Sequence, residues 1–372
     1  MHLPLNPAEA SAAVVWGGLA LGLALGALAQ ATRFCTRGAI SDLYSYGGTS
    51  RLLMWVLAVA VAAAGGFGLM QIGWLDASRS MAWSERFLWP SYLVGGALFG
   101  YGMVLASGCP QRSLVKAASG NMKAWVTLIV AAVTAQMTLR GVLAELRVKF
   151  LDAFGWQLAT PQDLGSLLAS ALGIASATPV RAALLSLLLL LAGLLLWRKR
   201  ASLEPGHGWG GVLLGALLVA AWALTGHLGF IAEHPDTLEA AWMGTYSHRP
   251  EGFSFAAPLA QSLDLLTLWS DRNNTATFGV TLTLGVLLGS LASALLRKEF
   301  FWESFRSARD MGDHLLGGVL MGFGGVTAMG CSIGQGVTGL SLLSAGAVLA
   351  LAAIVGGAWL ALYRQARQIE KS

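Results

Sequence analysis

The chain has 372 residues, 55% of them hydrophobic and only 12% charged, with a mean hydropathy of +0.63. A soluble domain carries about twice that charged fraction, so the composition excludes a soluble enzyme or carrier and describes an integral membrane protein. The net charge of +5 does not imply a nucleic-acid partner, because the basic residues sit at the ends of apolar runs, where they set membrane topology.

In chain order, residues 1–13 contain no Lys or Arg. The first apolar run therefore reads as a retained helix rather than a cleaved signal. Runs near the 20 residues that a span needs follow at 14–31, 52–74, 125–143, 181–197, 210–228, 278–296 and 343–363. Two more apolar segments, 92–119 and 315–342, are interrupted at their centres by Gly108-Cys109-Pro110 and Gly330-Cys331-Ser332. Tryptophans at run ends (Trp16, Trp74, Trp125, Trp197, Trp209) read as interfacial belts.

The basic clusters are Arg33, Arg37 and Arg51; Arg198 to Arg200; Arg297 and Lys298 with Arg306 and Arg309; and Arg364, Arg367 and Lys371. All fall on one side if both interrupted segments cross completely. That gives about nine passes with a periplasmic N-terminus and a cytoplasmic C-terminus; re-entrant hairpins stay open as the alternative. The connections 145–179 and 231–275 fit no span in this scheme.

The two interrupted segments are copies. GYGMVLASGC at 100–109 returns as GFGGVTAMGC at 322–331, with Gly95 and Gly96 matched by Gly317 and Gly318. In the nine-pass reading the copies run in opposite directions. The expected fold class is thus an all-α integral membrane protein, one polytopic domain over 1–372. It is built as an inverted pseudo-twofold repeat with halves near 14–144 and 276–363 and an intervening 145–275 region. Transporters of that architecture bind substrate where discontinuous helices meet.

Cysteine in a membrane helix is ordinarily a small buried hydrophobe. Cys109 and Cys331 differ because each follows a glycine break and precedes a helix start, where free backbone N–H groups favour an anion. The candidate pathway residues are therefore Cys109 and Cys331 with Gly108, Gly330, Pro110, Gln111, Ser332 and Gln335. Cys35 adds a third thiol between Arg33 and Arg37. Arg112 and Lys116 follow on one helix face. His207, His227, His234 and His248 lack ligand spacing, so no metal site is expected, and no phosphate-binding loop suggests direct use of ATP.

RFCTRGAI at 33–40, GFSFAAPLA at 252–260 and the two Gly-Cys segments, extended to 120 and 341, resemble the YeeE/YedE family of membrane proteins, in its thiosulfate-uptake branch. The resemblance implies an hourglass-shaped protein of the bacterial inner membrane, without a cofactor and without enzymatic activity. It implies that thiosulfate passes a narrow waist by S–H contacts, with Cys109 and Cys331 as the central thiols and Cys35 as the third. It also implies a separate TusA/SirA-like sulfur-carrier protein as partner. Thiosulfate is a dianion with one soft sulfur and hard oxygens, so polarizable thiols and helix N-termini suit its two ends. Transport of another sulfur or selenium species, or a membrane thiol-dependent sulfurtransferase, are the alternative readings.

Overall fold

Glycine-spaced apolar runs fold into helices that approach one another closely. The computed structural model describes residues 6–370 except 236, 237, 272 and 273. In chain order its helices are α1 Pro7–Thr32, α2 Thr36–Tyr46, α3 Ser50–Gln71, α4 Trp89–Leu105, α5 Pro110–Ala118, α6 Met122–Leu139, α7 Val142–Phe150, α8 Leu164–Ala171 and α9 Ala177–Lys199. They continue with α10 Pro205–Ala223, α11 Ala256–Thr267, α12 Phe278–Leu296, α13 Ala308–Thr327 and α14 Ala345–Glu370. A further helical stretch, 332–341, contains a π-helical turn at Gly334–Gly339.

The protein is an all-α membrane protein. Among the described residues, its strands are two short antiparallel pairs, Arg86–Phe87 with Trp156–Gln157 and Phe230–Ile231 with Ala241–Trp242. Eight helical segments are long and apolar enough to cross a membrane. They match eight of the nine runs read from sequence. The ninth, α13, carries Arg309, Asp310 and Asp313 in its first turns and is not among the eight. Of the connections that fitted no span, 145–179 holds the end of α7, all of α8 and the start of α9, and 231–275 holds all of α11.

The helices pack in reciprocal sets. Helix α1 lies on α12 as α10 lies on α3, and α4 lies on α14 as α13 lies on α6. The short α2 touches α3 and α14, and α11 touches α12 and α6. At the centre α4 and α13 cross with backbone nearly on backbone. A Cβ on Gly324 would stand 2.5 Å from the Gly95 carbonyl oxygen, and one on Gly317 would stand 2.7 Å from that of Gly102. Only glycine permits this approach, as small residues do throughout membrane interfaces.

Different contacts tie the two ends of this bundle. One end joins the C-termini of α1 and α12 to the α5–α6 and α13 starts: Gln30 donates to Glu299 at 2.7 Å, and Lys123 pairs with Glu303 at 2.9 Å and Asp310 at 3.3 Å. The opposite end ties the start of α14 to the connections, with the Ala345 N–H donating to the Gln162 carbonyl and the Trp83 indole to that of Leu342.

Gly324→Ala should lower stability by about 1–3 kcal/mol, the usual cost of forcing atoms into a filled contact. Gly193→Ala, where nothing lies within 4 Å, should be neutral or slightly stabilising. Thermal midpoints of the two variants in detergent check the contrast.

Candidate functional site

Helices α4 and α13 end in the same way, and the ends create the site. In the first, the Gly108 N–H donates to the Met103 carbonyl and the Ser107 N–H to that of Val104. In the second, Gly330 donates to Gly325 and Met329 to Val326. These paired bonds form a Schellman stop, whose left-handed residue is usually glycine. Here it is Ser107 (φ 57°) and Met329 (φ 57°), side chains that L-chirality disfavours there by about 1–2 kcal/mol.

Side chains from the next helix occupy carbonyls that each break leaves open. The Lys116 Nζ donates to the Ser107 oxygen at 2.7 Å, and the Gln335 Nε2 to the Ala328 oxygen at 2.6 Å. The chain then turns extended at Cys109 (φ −74°, ψ 169°), and α5 begins with Pro110 at its first position, where the missing N–H costs nothing.

Each cysteine stands just before a helix, and two of the three accept a capping hydrogen bond there, Cys109 making none through its side chain. The Cys35 sulfur accepts from the Gly38 N–H at 3.3 Å at the start of α2. The Cys331 sulfur accepts from the Gly334 N–H at 3.4 Å at the start of the 332–341 helix. Cys109 holds the same place before α5, with the Arg112 N–H facing its thiol. Cys109 and Cys331 are buried and Cys35 is half-buried, and Cys35, Cys331 and the Ser332 side chain all lie near Cys109. Cys331 also faces the backbone of Phe255, the residue before α11. Four helix N-termini thus converge on three thiols, and all three cysteines are free.

Around them the polar atoms are short of partners. Gln111 is fully buried, yet neither its amide nitrogen nor its oxygen has a hydrogen bond, and the buried Ser332 hydroxyl has none either. The Thr36 hydroxyl, Arg37 Nε and one Arg112 nitrogen are buried without a partner as well. Unpaired buried polar atoms cost about 1–3 kcal/mol each, and their gathering at one place marks a site shaped for a polar guest.

The surroundings of Cys35 and of Cys331 differ in charge. On the Cys35 side, Arg112 lies in the field of Arg33 and Arg51, and Lys116 in that of Arg37. Arg33 itself is exposed and lines a surface recess with Asp42, Arg51 and His207. On the Cys331 side a cavity of about 320 Å³ is lined by Gly330, Gly334, Gln335, Thr338, Ser254 and Glu251, among others. Arg147 reaches the same cavity but is paired with Asp152 at 2.8 Å.

Of the residues singled out from sequence (Cys35, Cys109, Cys331, Gly108, Gly330, Pro110, Gln111, Ser332, Gln335, Arg33 and Arg37), Gly330 and Gln335 line the cavity, Cys109, Cys331, Gln111 and Ser332 are buried beside the breaks, and Arg33 is exposed at the surface recess. Sequence reasoning passed over Thr36, Ser254, Thr338 and Glu251. The signal available for Ser254 was the likeness of Gly-Phe-Ser at 252–254 to Arg-Phe-Cys at 33–35; nothing in the sequence pattern marks Glu251. Among the described residues no group of His, Cys, Asp and Glu could hold a metal ion.

Glu251 accepts from the Ser247 N–H at 2.9 Å and hydroxyl at 2.7 Å. Burial pushes its carboxyl above the usual carboxylate range, and the Ser247 bonds offset only part of that rise. A group whose folded pKa is raised contributes most below its unfolded pKa and loses that contribution as pH climbs through the folded value. Glu251→Gln should therefore gain stability over the parent as pH rises from the ordinary carboxylate range toward neutrality, with the advantage vanishing in acid. Thermal melts across that interval check the sign.

Comparison with known proteins closes the identification. The model of the sulphur transport family matches residues 31–360. The thiosulfate transporter TsuA of Escherichia coli K12 is 26% identical over 365 residues, covering 94% of each chain. TsuA of Spirochaeta thermophila is 25% identical over 93% of this chain and 97% of its own. The probable transporter YedE of E. coli K12 is 29% identical over 189 residues, which is 49% of this chain and 41% of that protein. Paired glycine breaks, free thiols at helix N-termini and a match over nearly the whole length agree: this chain belongs to the sulphur transport family, as its likeness to YeeE/YedE proteins led one to expect.

Proposed function

We propose that the chain is a bacterial inner-membrane permease that takes up thiosulfate through a narrow pathway lined by Cys331, Cys109 and Cys35. The reading makes it a transporter and not an enzyme. The observation that carries it is the set of unpartnered buried polar groups of Gln111 and Ser332 beside two of the thiols. Those groups and the helix N-termini suit the sulfonate oxygens, while the thiols offer polarizable donors to the terminal sulfur. Neutral thiols hold a dianion weakly enough to release it, as conduction requires. A covalent persulfide would instead trap the ion and need a reductant at each turnover.

The reciprocal packing supports two inverted halves. Their bounds follow the packing partners, so the second half takes in α10 and α11 and opens near Pro205, rather than at 276. Each half then has a long helix, a short helix capped at the waist, a span and a broken segment. The bundle end carrying Arg33, Arg51, Lys123, Arg297, Arg306 and Arg309 is the cytoplasmic one by the bias of basic residues. The N-terminus is then periplasmic, and nine passes follow if the segment from α13 through 332–341 crosses. An hourglass shape is part of the same reading, with the cavity beside Cys331 and the recess beside Arg33 as its two mouths. A separate TusA/SirA-like carrier is the partner expected at the basic end.

Radiolabelled thiosulfate uptake by cells or proteoliposomes tests the reading. Cys109→Ala and Cys331→Ala should each reduce uptake by about tenfold or more, and Cys35→Ala by less. Gln111→Leu should cost about tenfold, the scale of one hydrogen bond to a charged group. Excess sulfate should compete poorly, because it offers no soft sulfur. Full uptake by the Cys109→Ala, Cys331→Ala pair would sink the proposal, and stronger competition by selenite than by thiosulfate would redirect it to selenium.

A further inference from the structure

We infer that Ser254 is a substrate-positioning residue of this pathway, standing on the Cys331 side where Cys35 stands on the Cys109 side. The inference rests on the thiosulfate reading and extends it by one contact. Three independent observations support it.

The first is position. Cys35 lies in the field of Arg112, the third residue past Cys109. Ser254 lies over Gly334, the third residue past Cys331: a Cβ placed there would stand 3.1 Å from the Ser254 hydroxyl. The flanking sequence agrees, since Phe34 before Cys35 and Phe253 before Ser254 are both buried, at 2% and 0% exposure. Cys35 is the N-cap of α2 and Ser254 stands one residue before Phe255, the N-cap of α11, and these two short helices each pack on two long ones, α2 on α3 and α14 and α11 on α12 and α6.

The second is surroundings. Ser254 lines the 320 Å³ cavity together with Gly330, Gly334 and Gln335, which flank the buried Cys331, so a solute in that cavity meets its hydroxyl. The strand-like backbone is fixed from behind, because Thr338 donates to the Phe253 carbonyl at 2.7 Å. The third is availability. Of the other serines nearby, Ser247 and Ser341 spend their hydroxyls on Glu251 and on the Thr338 carbonyl, and Ser332 is fully buried and does not line the cavity. Ser254 has no protein hydrogen bond among the described residues and is partly open to the cavity.

The chemistry differs from that of Cys35 in a useful way. A hydroxyl is a stronger donor than a thiol and prefers a hard oxygen. The first contact on this side would therefore orient the sulfonate group and treat thiosulfate and sulfate alike. Discrimination between them then falls to the thiols further in.

The test is uptake kinetics in proteoliposomes for wild type, Ser254→Ala, Ser254→Thr and Ser254→Cys, with sulfate as competitor. Ser254→Ala should raise the KM for thiosulfate by about threefold to tenfold with little change in maximal rate, the scale of one hydrogen bond. The inhibition constant of sulfate should rise by a similar factor. Ser254→Thr should restore both, and Ser254→Cys should keep thiosulfate uptake while weakening sulfate competition. Wild-type constants in Ser254→Ala would overturn the inference, as would a loss that neither Thr nor Cys repairs in well-folded protein. A wild type that moves no thiosulfate at all would instead bring down the transport reading beneath it.

Discussion

A lipid bilayer offers no hydrogen bonds, so a helix can break inside it only where something else satisfies the freed backbone. That constraint organises this protein. At both breaks the Schellman bonds take up part of the freed carbonyls, and Lys116 or Gln335 reaches back to another. At the start of the 332–341 helix the Gly334 N–H turns toward the Cys331 sulfur, as the Gly38 N–H at the start of α2 turns toward Cys35. A capping thiol is a poor acceptor compared with the Ser, Thr, Asp or Asn that usually fills that position. The helix starts are therefore left under-satisfied, and that residual attraction is available to an anion.

The close crossing of α4 and α13 brings the two breaks within reach of each other. If either helix carried a larger residue at the crossing, the breaks would separate, and the thiols of Cys109 and Cys331 would no longer share one neighbourhood. The glycines therefore act at one remove from the chemistry. They bear no functional group, yet they fix the spacing on which the site depends.

Charge is arranged asymmetrically about the cysteines. The Cys35 side gathers Arg33, Arg37, Arg51, Arg112 and Lys116, while the cavity on the Cys331 side is lined mainly by neutral groups, with Glu251 and an ion-paired Arg147.

Much of this was legible in the amino-acid order. Hydropathy revealed the apolar runs because a membrane span must be about 20 residues long. The duplicated Gly-x-Gly…Gly-Cys pattern exposed the breaks because only glycine tolerates both close packing and an interrupted helix. Gln111, Ser332 and Gln335 could be named because they follow the breaks directly. Other features depended on partners far away in the chain. The places of α10 and α11 were hidden because their partners α3, α12 and α6 lie far away in the chain. Ser254 and Glu251 sit in a connection without periodicity, and they become part of the site only when that connection folds over the cavity. Sequence alone determined that the chain lies in the membrane and breaks twice at a thiol. The tertiary structure decided which groups meet at those breaks, because burial and partnership belong to contacts between segments rather than to any segment by itself.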